Sequence, residues 1–398
     1  MDTQNTPVHI HLWNKDFWRL ALANLLISMS VYMQFVCLFQ VLATKGMPRQ
    51  QIGLVMGCYG LGLLLLGGCC SYLVQRYRRN KVAIVAMLGL AVCMALPASF
   101  PQWMSRDGMM IALRLATGAL FGLAQMVLVS TLIIDTCEAH QRTEANYAAS
   151  WFGRFAVSLG PLAAILICRG AGMATAFWMA TALAAAALAL VVTVDFPFRT
   201  PEDNVSFFSL DRFFLPQAWG LFVNLLIATT VMGMIMIGEM GSSNFYAALM
   251  AGFMLALLAE KFVFVNAELM SETVAGLLLV AFSILLNMTG LDATPYTVPV
   301  LVGLGIGLVG SRFLLFFIKM SQHSKRGTSQ STFFLAWELG LALGWWMACS
   351  DVPDGLAALF GGSSHESAAH SLALLLTVVA LLMYVVFTHK WYVKHKNR

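Results

Sequence analysis

The segment RTEANYAASWFGRFAVSLG, residues 142–160, aligns without gaps with RGTSQSTFFLAWELGLALG, residues 326–344. Beyond its first few residues each segment is largely apolar, and each carries one charge inside the apolar run. In the alignment Arg154 falls opposite Glu338. An arginine at the centre of a membrane helix costs about 2.5–3.5 kcal/mol on insertion scales. Opposite charges at equivalent positions therefore indicate that both are used.

Two further matches recur in the same order in the two halves of the chain. NLLI occurs at residues 24–27 and again at 224–227, and LVQRY at 73–77 is similar to LAEKF at 258–262. Three ordered matches at nearly constant spacing predict a duplicated six-helix unit. Parallel repeats of this kind build transporters whose binding site lies between the halves near the bilayer midplane.

The composition indicates a membrane protein with many spans. The 398 residues are 59% hydrophobic and 11% charged, whereas an average soluble domain is about 25% charged. Apolar runs of 18 or more residues, each long enough to cross the bilayer as a helix, recur along the whole chain. We predict twelve spans: 17–41, 51–74, 82–101, 108–134, 145–168, 172–194, 217–239, 243–265, 271–290, 297–319, 328–349 and 368–389.

The predicted fold is all-α, with twelve transmembrane helices in two pseudo-symmetric bundles of six. Residues 1–194 form the first bundle, residues 195–216 a cytoplasmic linker, and residues 217–398 the second bundle. Placing both termini in the cytoplasm puts 17 of the 24 Lys and Arg residues on the cytoplasmic side and 4 on the other side. Because cytoplasmic loops carry the excess of basic residues, we expect a multi-pass protein of the cytoplasmic (inner) membrane in this orientation.

Three short segments resemble motifs of the major facilitator superfamily. SYLVQRYRRNKV at 71–82 is similar to the family's loop between the second and third spans, and RLATGALFG at 114–122 matches the pattern of the fourth span. GRFAVSLGP at 153–161 resembles, in part, the Gly-Pro motif that exporters carry in the fifth span. The resemblance covers the whole chain and implies the major facilitator fold and secondary transport by alternating access.

The resemblance also implies a gate at the loop that joins the second and third spans. Arg76 and Arg79 match the family motif, whereas Gln75 stands where the family has an acid. A glutamine can hydrogen-bond but lacks the charge that interacts with a helix N-terminus, a term of about 0.3–1 kcal/mol. We therefore expect the gate to depend on Glu260 in the second copy of the loop, or on Asp135 pairing with Arg76 or Arg79.

The candidate cavity residues are polar or charged and lie inside predicted spans: Asn24, Tyr32, Gln34, Arg114, Gln125, Asn224 and Arg312. Each also has a purely structural interpretation. Amides glue membrane helices together, small residues let helices pack closely, and an arginine near a helix end can extend its side chain to the interface.

Arg154, Glu338 and Arg312 form the candidate charge network for proton coupling. Glu338 is the only carboxylate well inside a predicted span, and ionisable residues within membranes indicate function by default. We expect Glu338 to lie where Arg154 or Arg312 can reach it in alternate states. The competing interpretation is a static ion pair between Glu338 and Arg312 that only holds helices together.

The sequence therefore predicts a secondary transporter of a small organic solute, a proton-coupled exporter working in efflux, with the lipid bilayer as its environment. The alternatives are an uptake transporter for an anionic or polar solute and a non-transporting receptor or scaffold. We find no nucleophile–base set, P-loop or metal-ligand spacing in the sequence, so we expect no enzymatic activity, cofactor, metal or nucleic-acid partner. We expect a monomer.

Overall fold

The computed structural model describes residues 11–138, 140–196, 205–264, 267–322, 325–355 and 364–396. Within these ranges, twelve helices are long and apolar enough to cross a membrane. We number them in chain order: α1 Lys15–Thr44, α2 Arg49–Arg76, α3 Arg79–Ser99, α4 Asp107–Asp135, α5 Arg142–Ala171, α6 Met173–Val192, α7 Pro216–Gly238, α8 Ser243–Phe262, α9 Leu269–Met288, α10 Thr294–Met320, α11 Arg326–Cys349 and α12 His365–His395. The prediction of twelve membrane-spanning helices is confirmed. Residues 197–204 of the predicted linker lie outside the described ranges.

Local sequence explains where several helices begin and where they are irregular. The side chains of Asn14 and Ser242 accept hydrogen bonds from backbone N–H groups in the first turns of α1 and α8, because helix starts leave such groups unpaired. A 3₁₀ turn at Gly67–Cys69 interrupts α2. A π-turn at Leu128–Leu132 widens α4, and α12 contains another at Tyr384–Thr388.

The six helices of each half pack in the same pattern. In the first half α1 packs on α5 and α6, α2 on α4, and α3 on α6; in the second half α7 packs on α11 and α12, α8 on α10, and α9 on α12. The helices α3, α6, α9 and α12 present large apolar side chains outward, among them Val85, Trp178, Phe282 and Leu382. The fold is therefore two pseudo-symmetric bundles with a lipid-facing exterior, as predicted.

The two halves meet through equivalent helices. The contact of α2 with α11 has its counterpart in the contact of α8 with α5. We call the end of the bundle at which α1 begins the basic end, because most Lys and Arg residues cluster there, and the opposite end the distal end. Contacts between the halves occur at both ends, and a cavity lined by Arg154 and Glu338 lies between them.

The segment that precedes α7 packs against both halves at the basic end. The Ser209 N–H donates to the Gly68 carbonyl of α2 at 2.9 Å. The Arg212 N–H donates to Thr328 Oγ1 of α11 at 2.9 Å, and the Leu215 N–H donates to Thr332 Oγ1 at 2.8 Å. Residues 209–215 are thus bound to both halves at the basic end.

Candidate functional site

Glu338 carries a carboxylate from the second half into contact with the first half. It is 4% exposed. The Tyr32 hydroxyl of α1 donates to Glu338 Oε1 at 2.6 Å, and the Tyr59 hydroxyl of α2 donates to Oε2 at 2.7 Å. Both tyrosines are fully buried. Each carboxylate oxygen therefore has its own donor, and both donors come from the opposite half.

Arg154 makes the reciprocal contact from α5 to the second half. Its guanidinium donates to Ser311 Oγ at 2.6 Å and to the Gly307 carbonyl of α10 at 3.3 Å. It also donates to Ser150 Oγ at 2.7 Å, one turn earlier on α5, and lies 4.1 Å from the ring centre of Trp151. These partners are neutral, and no described carboxylate forms an ion pair with Arg154.

Arg154 and Glu338 line one cavity between the halves, but they do not form an ion pair with each other. The cavity has a volume of about 40 Å³, room for about two or three water molecules. Its other lining residues are Asn24, Ser28, Gln125, Val129, Ser150, Gly153, Gln330, Phe333, Phe334 and Trp337. Polar side chains of the first half thus face aromatic side chains of α11.

Asn24 and Gln125, two predicted cavity residues, lie together on the cavity wall. The Gln125 side chain donates to Asn24 Oδ1 and to Ser28 Oγ, both at 2.8 Å. The Asn24 side chain donates to the Ala149 carbonyl of α5 at 2.9 Å. This chain of hydrogen bonds joins α4, α1 and α5 and fixes the amide groups that face the cavity.

Two other predicted cavity residues join helices away from this cavity. The Gln34 side chain donates to the Cys93 carbonyl of α3 at 3.0 Å. The Asn224 side chain donates to the Ala380 carbonyl of α12 at 2.9 Å. Both contacts match the structural alternative, in which an amide links neighbouring membrane helices.

Arg114 is fully buried on α4 beside the Glu338 site. Its guanidinium carbon lies 4.9 Å from the ring centre of Tyr59, the residue that donates to Glu338. Among the described residues, none of its three guanidinium nitrogens has a hydrogen-bond partner. One turn along α4, Gly118 lies so close to α2 that a Cβ there would fall 2.1 Å from the Tyr59 carbonyl. The glycine therefore serves close helix packing.

Arg312 pairs with Glu272 of α9, which is not among the site residues predicted from the sequence. The Glu272 side chain is fully buried. Arg312 is not among the residues that line the central cavity, and the structure does not bring it together with Glu338. The signal that Glu272 offers in the sequence is weak, because it lies at the start of a predicted span, where acids are common.

The predicted gate residues form contacts at the basic end. Arg79 forms an ion pair with Asp135, one of the two pairings that the sequence left open. The Gln75 side chain donates to Ser71 Oγ one turn earlier at 3.1 Å, and Arg76 is the exposed last residue of α2.

Glu260 accepts a hydrogen bond from the Tyr147 hydroxyl, which joins α8 to α5 across the two halves. The Ser311 hydroxyl that accepts from Arg154 also lies beside the Glu260 carboxyl. A polar path therefore runs from the cavity towards the basic end. Tyr147 and Ser311 carry no motif or unusual spacing that would identify them from sequence.

A second, mostly polar cavity of about 140 Å³ lies at the basic end. Its lining contains four arginines and two aspartates: Arg79, Arg142, Arg212, Arg326, Asp135 and Asp211. Among the described residues, no group of three or more His, Cys, Asp or Glu side chains is placed to hold a metal ion.

The halves also meet on the distal side of the central cavity. Phe35 of α1 stacks on Trp345 of α11, with ring centres 3.7 Å apart. Further out, the Gln50 side chain donates to both carboxylate oxygens of Asp351, at 2.7 and 2.6 Å. The central cavity is thus bounded by contacts between the halves towards both ends.

Comparisons with known proteins agree with this architecture. A family model described as the Major Facilitator Superfamily matches residues 20–345, and no curated protein matches the sequence significantly. Similar solved structures include an auto-inhibited POT family peptide transporter, with 15% identity, a TM-score of 0.69 and coverage of 97% of this chain and 98% of that one. The nucleoside transporter NupG is 12% identical, with a TM-score of 0.65 and coverage of 94% and 100%. A bacterial homologue of the human lysosomal transporter Spinster, crystallised in an inward-facing and unoccupied conformation, is 13% identical, with a TM-score of 0.66 and coverage of 96% and 98%.

Proposed function

Because the chain belongs to the Major Facilitator Superfamily, whose members are secondary transporters, we propose that it is a proton-coupled exporter of a small organic solute. Membership and fold make it a multi-pass membrane transporter that works by alternating access, and not an enzyme. The proton, the direction and the solute are the proposal. The observation that carries it is the carboxylate of Glu338, bound by hydroxyls of the other half beside a cavity.

The coupling follows from what a proton does to this carboxylate. Ionised Glu338 accepts from Tyr32 and Tyr59, and bonds to an ionised acceptor are roughly twice as strong as neutral ones. A protonated carboxyl has lost its charge and carries a donor on one oxygen. Protonation therefore weakens the link between the halves, and it favours their rearrangement because a ligand shifts an equilibrium by its differential affinity for the two states.

Two arginines complete the charged surroundings of Glu338. Arg114 reaches the face of Tyr59, and Arg154 lines the same cavity as the carboxylate. Both are buried cations, which favour the ionised carboxylate until a proton or another cation arrives. In this scheme the empty, deprotonated transporter is held closed, and neutralising Glu338 releases it.

Export is supported by the resemblance of residues 153–161 to the exporter motif of the fifth span. Gly160 of this segment lies against α1, where an added Cβ would fall 2.8 Å from the Cβ of Tyr32. The motif is thus packed directly against one of the two residues that bind Glu338. The aromatic wall formed by Phe333, Phe334 and Trp337 suits a solute with an apolar part.

Uptake of an anionic or polar solute is the second candidate. Arg114 is the observation that favours it, because the described residues leave its buried guanidinium without a hydrogen-bond partner. An anion that reached Arg114 would satisfy this group. Net inward movement of organic anions would support this candidate over export.

Flux in proteoliposomes, with and without a pH gradient, tests the proposal. A panel of dyes and organic acids is followed together with the internal pH. We expect wild-type flux to respond to the gradient and Glu338→Gln to fold but not to respond. Glu144→Gln, an exposed residue in the first turn of α5, is the matched control and should behave as wild type. Gradient-driven flux by Glu338→Gln at the wild-type rate would remove the coupling role.

We also propose a monomer in the cytoplasmic membrane, with both termini and the 195–216 linker in the cytoplasm between bundles 1–194 and 217–398. The orientation is supported by the excess of Lys and Arg at the basic end. A reporter that is active only in the cytoplasm, fused after residue 398, should be active. Activity of a reporter that works only outside the cytoplasm would reverse the orientation.

A further inference from the structure

Two buried charges of opposite sign, those of Arg154 and Glu338, form no ion pair with any residue that the structure describes. Arg154 is bound by serine hydroxyls and a carbonyl, and Glu338 by tyrosine hydroxyls. Both side chains are at least 96% buried. Hydrogen bonds to neutral groups only partly replace the water that a buried ion loses, so each charge remains costly until an opposite charge arrives.

Arg154 and Glu338 both line the central cavity, so one molecule bound there lies next to both residues. Arg154 lies on α5 of the first half and Glu338 on α11 of the second half. Alternating access changes the position of these two halves relative to each other. Polar amides from Asn24, Gln125 and Gln330 and the aromatic rings of α11 form the remaining wall. The cavity of about 40 Å³ is that of the closed arrangement, so a solute enters when the halves separate.

We propose that the transported solute is a small zwitterion with an apolar body, its carboxylate bound by Arg154 and its ammonium group by Glu338. This inference rests on the proposed transport function and names the class of solute for that cavity. The apolar body packs against Phe333, Phe334 and Trp337. An ammonium group at Glu338 neutralises the carboxylate as a proton does. Either the solute or a proton therefore weakens the same link between the halves.

Solutes of one charge fit the cavity less well. An anion bound at Arg154 brings a second negative charge next to Glu338, whose carboxylate still has only neutral hydrogen-bond partners. A cation at Glu338 leaves Arg154 without a counter-charge. Only a solute with both charges gives both Arg154 and Glu338 an ion-pair partner. Because a hydrogen bond to a charged group contributes about 1.5–3 kcal/mol, the difference in affinity between such a solute and a singly charged one is measurable.

The test compares the binding of ligands that lack one charge with the binding by protein variants that lack the matching charge. The full-length purified protein is titrated with L-phenylalanine, with its amide (ammonium only), with N-acetyl-L-phenylalanine (carboxylate only) and with N-acetyl-L-phenylalaninamide (neither), and binding is followed by calorimetry. We expect the zwitterion to bind about tenfold or more tightly than each blocked form. Leucine and alanyl-phenylalanine extend the zwitterion set to other sizes.

Two variants assign each charge to its partner. In Arg154→Gln, phenylalanine and its amide should bind equally, while the preference for a free ammonium group stays. In Glu338→Gln, phenylalanine and its N-acetyl form should bind equally, while the preference for a free carboxylate stays. Arg106→Gln and Glu144→Gln, at exposed positions, are the matched controls and should keep the wild-type pattern.

The results that overturn the inference differ from those that overturn the proposed function. Equal binding of a blocked form and phenylalanine by the wild type, or no binding of any zwitterion in the set, rejects the zwitterion. Gradient-driven flux of a different solute by the same preparation would then leave the proton-coupled transporter standing. The wild-type ligand series needs no substitution, so it decides the matter even if a variant fails to fold.

Discussion

At the scale of single residues, the repeat places Arg154 and Glu338 in equivalent positions, and each side chain contacts the opposite half of the molecule. Arg154 extends to Ser311 and Gly307 on α10, and Glu338 extends to Tyr32 and Tyr59. A duplicated position that kept one sign of charge would bring like charges to the interface. The change of sign allows both charges to lie at one cavity.

Removing the tyrosine hydroxyls should weaken the link that the ionised carboxylate makes. Tyr32→Phe and Tyr59→Phe each delete one donor to Glu338, at a cost of about 1.5–3 kcal/mol for a bond to a charged group. We expect each variant to lower the thermal midpoint, and the double variant to lower it further and to leak protons in proteoliposomes without solute. Tyr296→Phe, at an exposed position, is the control. A double variant with wild-type stability and no leak would contradict the link.

Arg312 and Glu272 provide a test of a structural ion pair. Because the carboxylate of Glu272 is fully buried, replacing only one partner by Met strands the other charge, at a cost of about 3–5 kcal/mol. We expect Arg312→Met and Glu272→Met each to reduce the yield of folded protein, and the double replacement to recover it with gradient-driven flux intact. If flux through the double variant does not depend on the pH gradient, Arg312 belongs instead to the coupling network.

At the scale of helices, α5 combines the features on which the site depends. It carries Arg154, it packs on α1 and on α8 of the other half, and it contains Pro161 within the helix. Next to this proline, Gly160 lets the helix approach α1 beside Tyr32. Gly160 of α5 is therefore packed against the tyrosine that donates to Glu338.

The close approach at Gly160 predicts a difference between two glycines of one helix. An alanine Cβ at Gly160 would lie 2.8 Å from the Tyr32 Cβ, whereas one at Gly170 would meet nothing within 4 Å. We expect Gly160→Ala to destabilise the protein by about 1–3 kcal/mol through overpacking and to slow transport, and Gly170→Ala to be neutral. Thermal unfolding and flux of the two variants decide it. Equal behaviour of both would show that α5 is not tightly packed at Gly160.

Most of the helices, but few of the partners in the site, could be predicted from the sequence. A lipid-spanning helix needs about 20 apolar residues, and this pattern in the sequence does not depend on how the helices pack. The repeat also predicted which helices are equivalent. Contacts such as Glu338 with Tyr59 or Arg312 with Glu272 depend on how far each helix is rotated and shifted. A rotation of a few tens of degrees changes the partner without changing the hydropathy pattern, so Tyr147 and Ser311 were missed.

At the scale of the whole molecule, contacts between the halves on both sides of the cavity define a closed arrangement. The distal side is closed by the stack of Phe35 on Trp345 and by Gln50 with Asp351. The basic side is closed by Tyr147 with Glu260 and by the segment before α7. Alternating access requires these two sets of contacts to open in turn.

A cross-link at the distal end should stop transport. Gln50 and Asp351 are exposed neighbours from opposite halves, so cysteines at both positions can be joined by a short bifunctional maleimide. We expect the joined double variant to lose flux while still binding solute, because the distal side can no longer open. Each single cysteine treated with the same reagent controls for the eight native cysteines. Full flux after complete cross-linking would exclude opening at this end.

The segment that precedes α7 makes the two repeats unequal at the basic end. The backbone N–H groups of Arg212 and Leu215 donate hydrogen bonds to the hydroxyls of Thr328 and Thr332. By the alignment of 142–160 with 326–344, the counterparts of these threonines in the first half are Glu144 and Ala148, which offer no hydroxyl. The two halves therefore differ at the basic end, since only the second half carries the hydroxyls that bind the segment before α7.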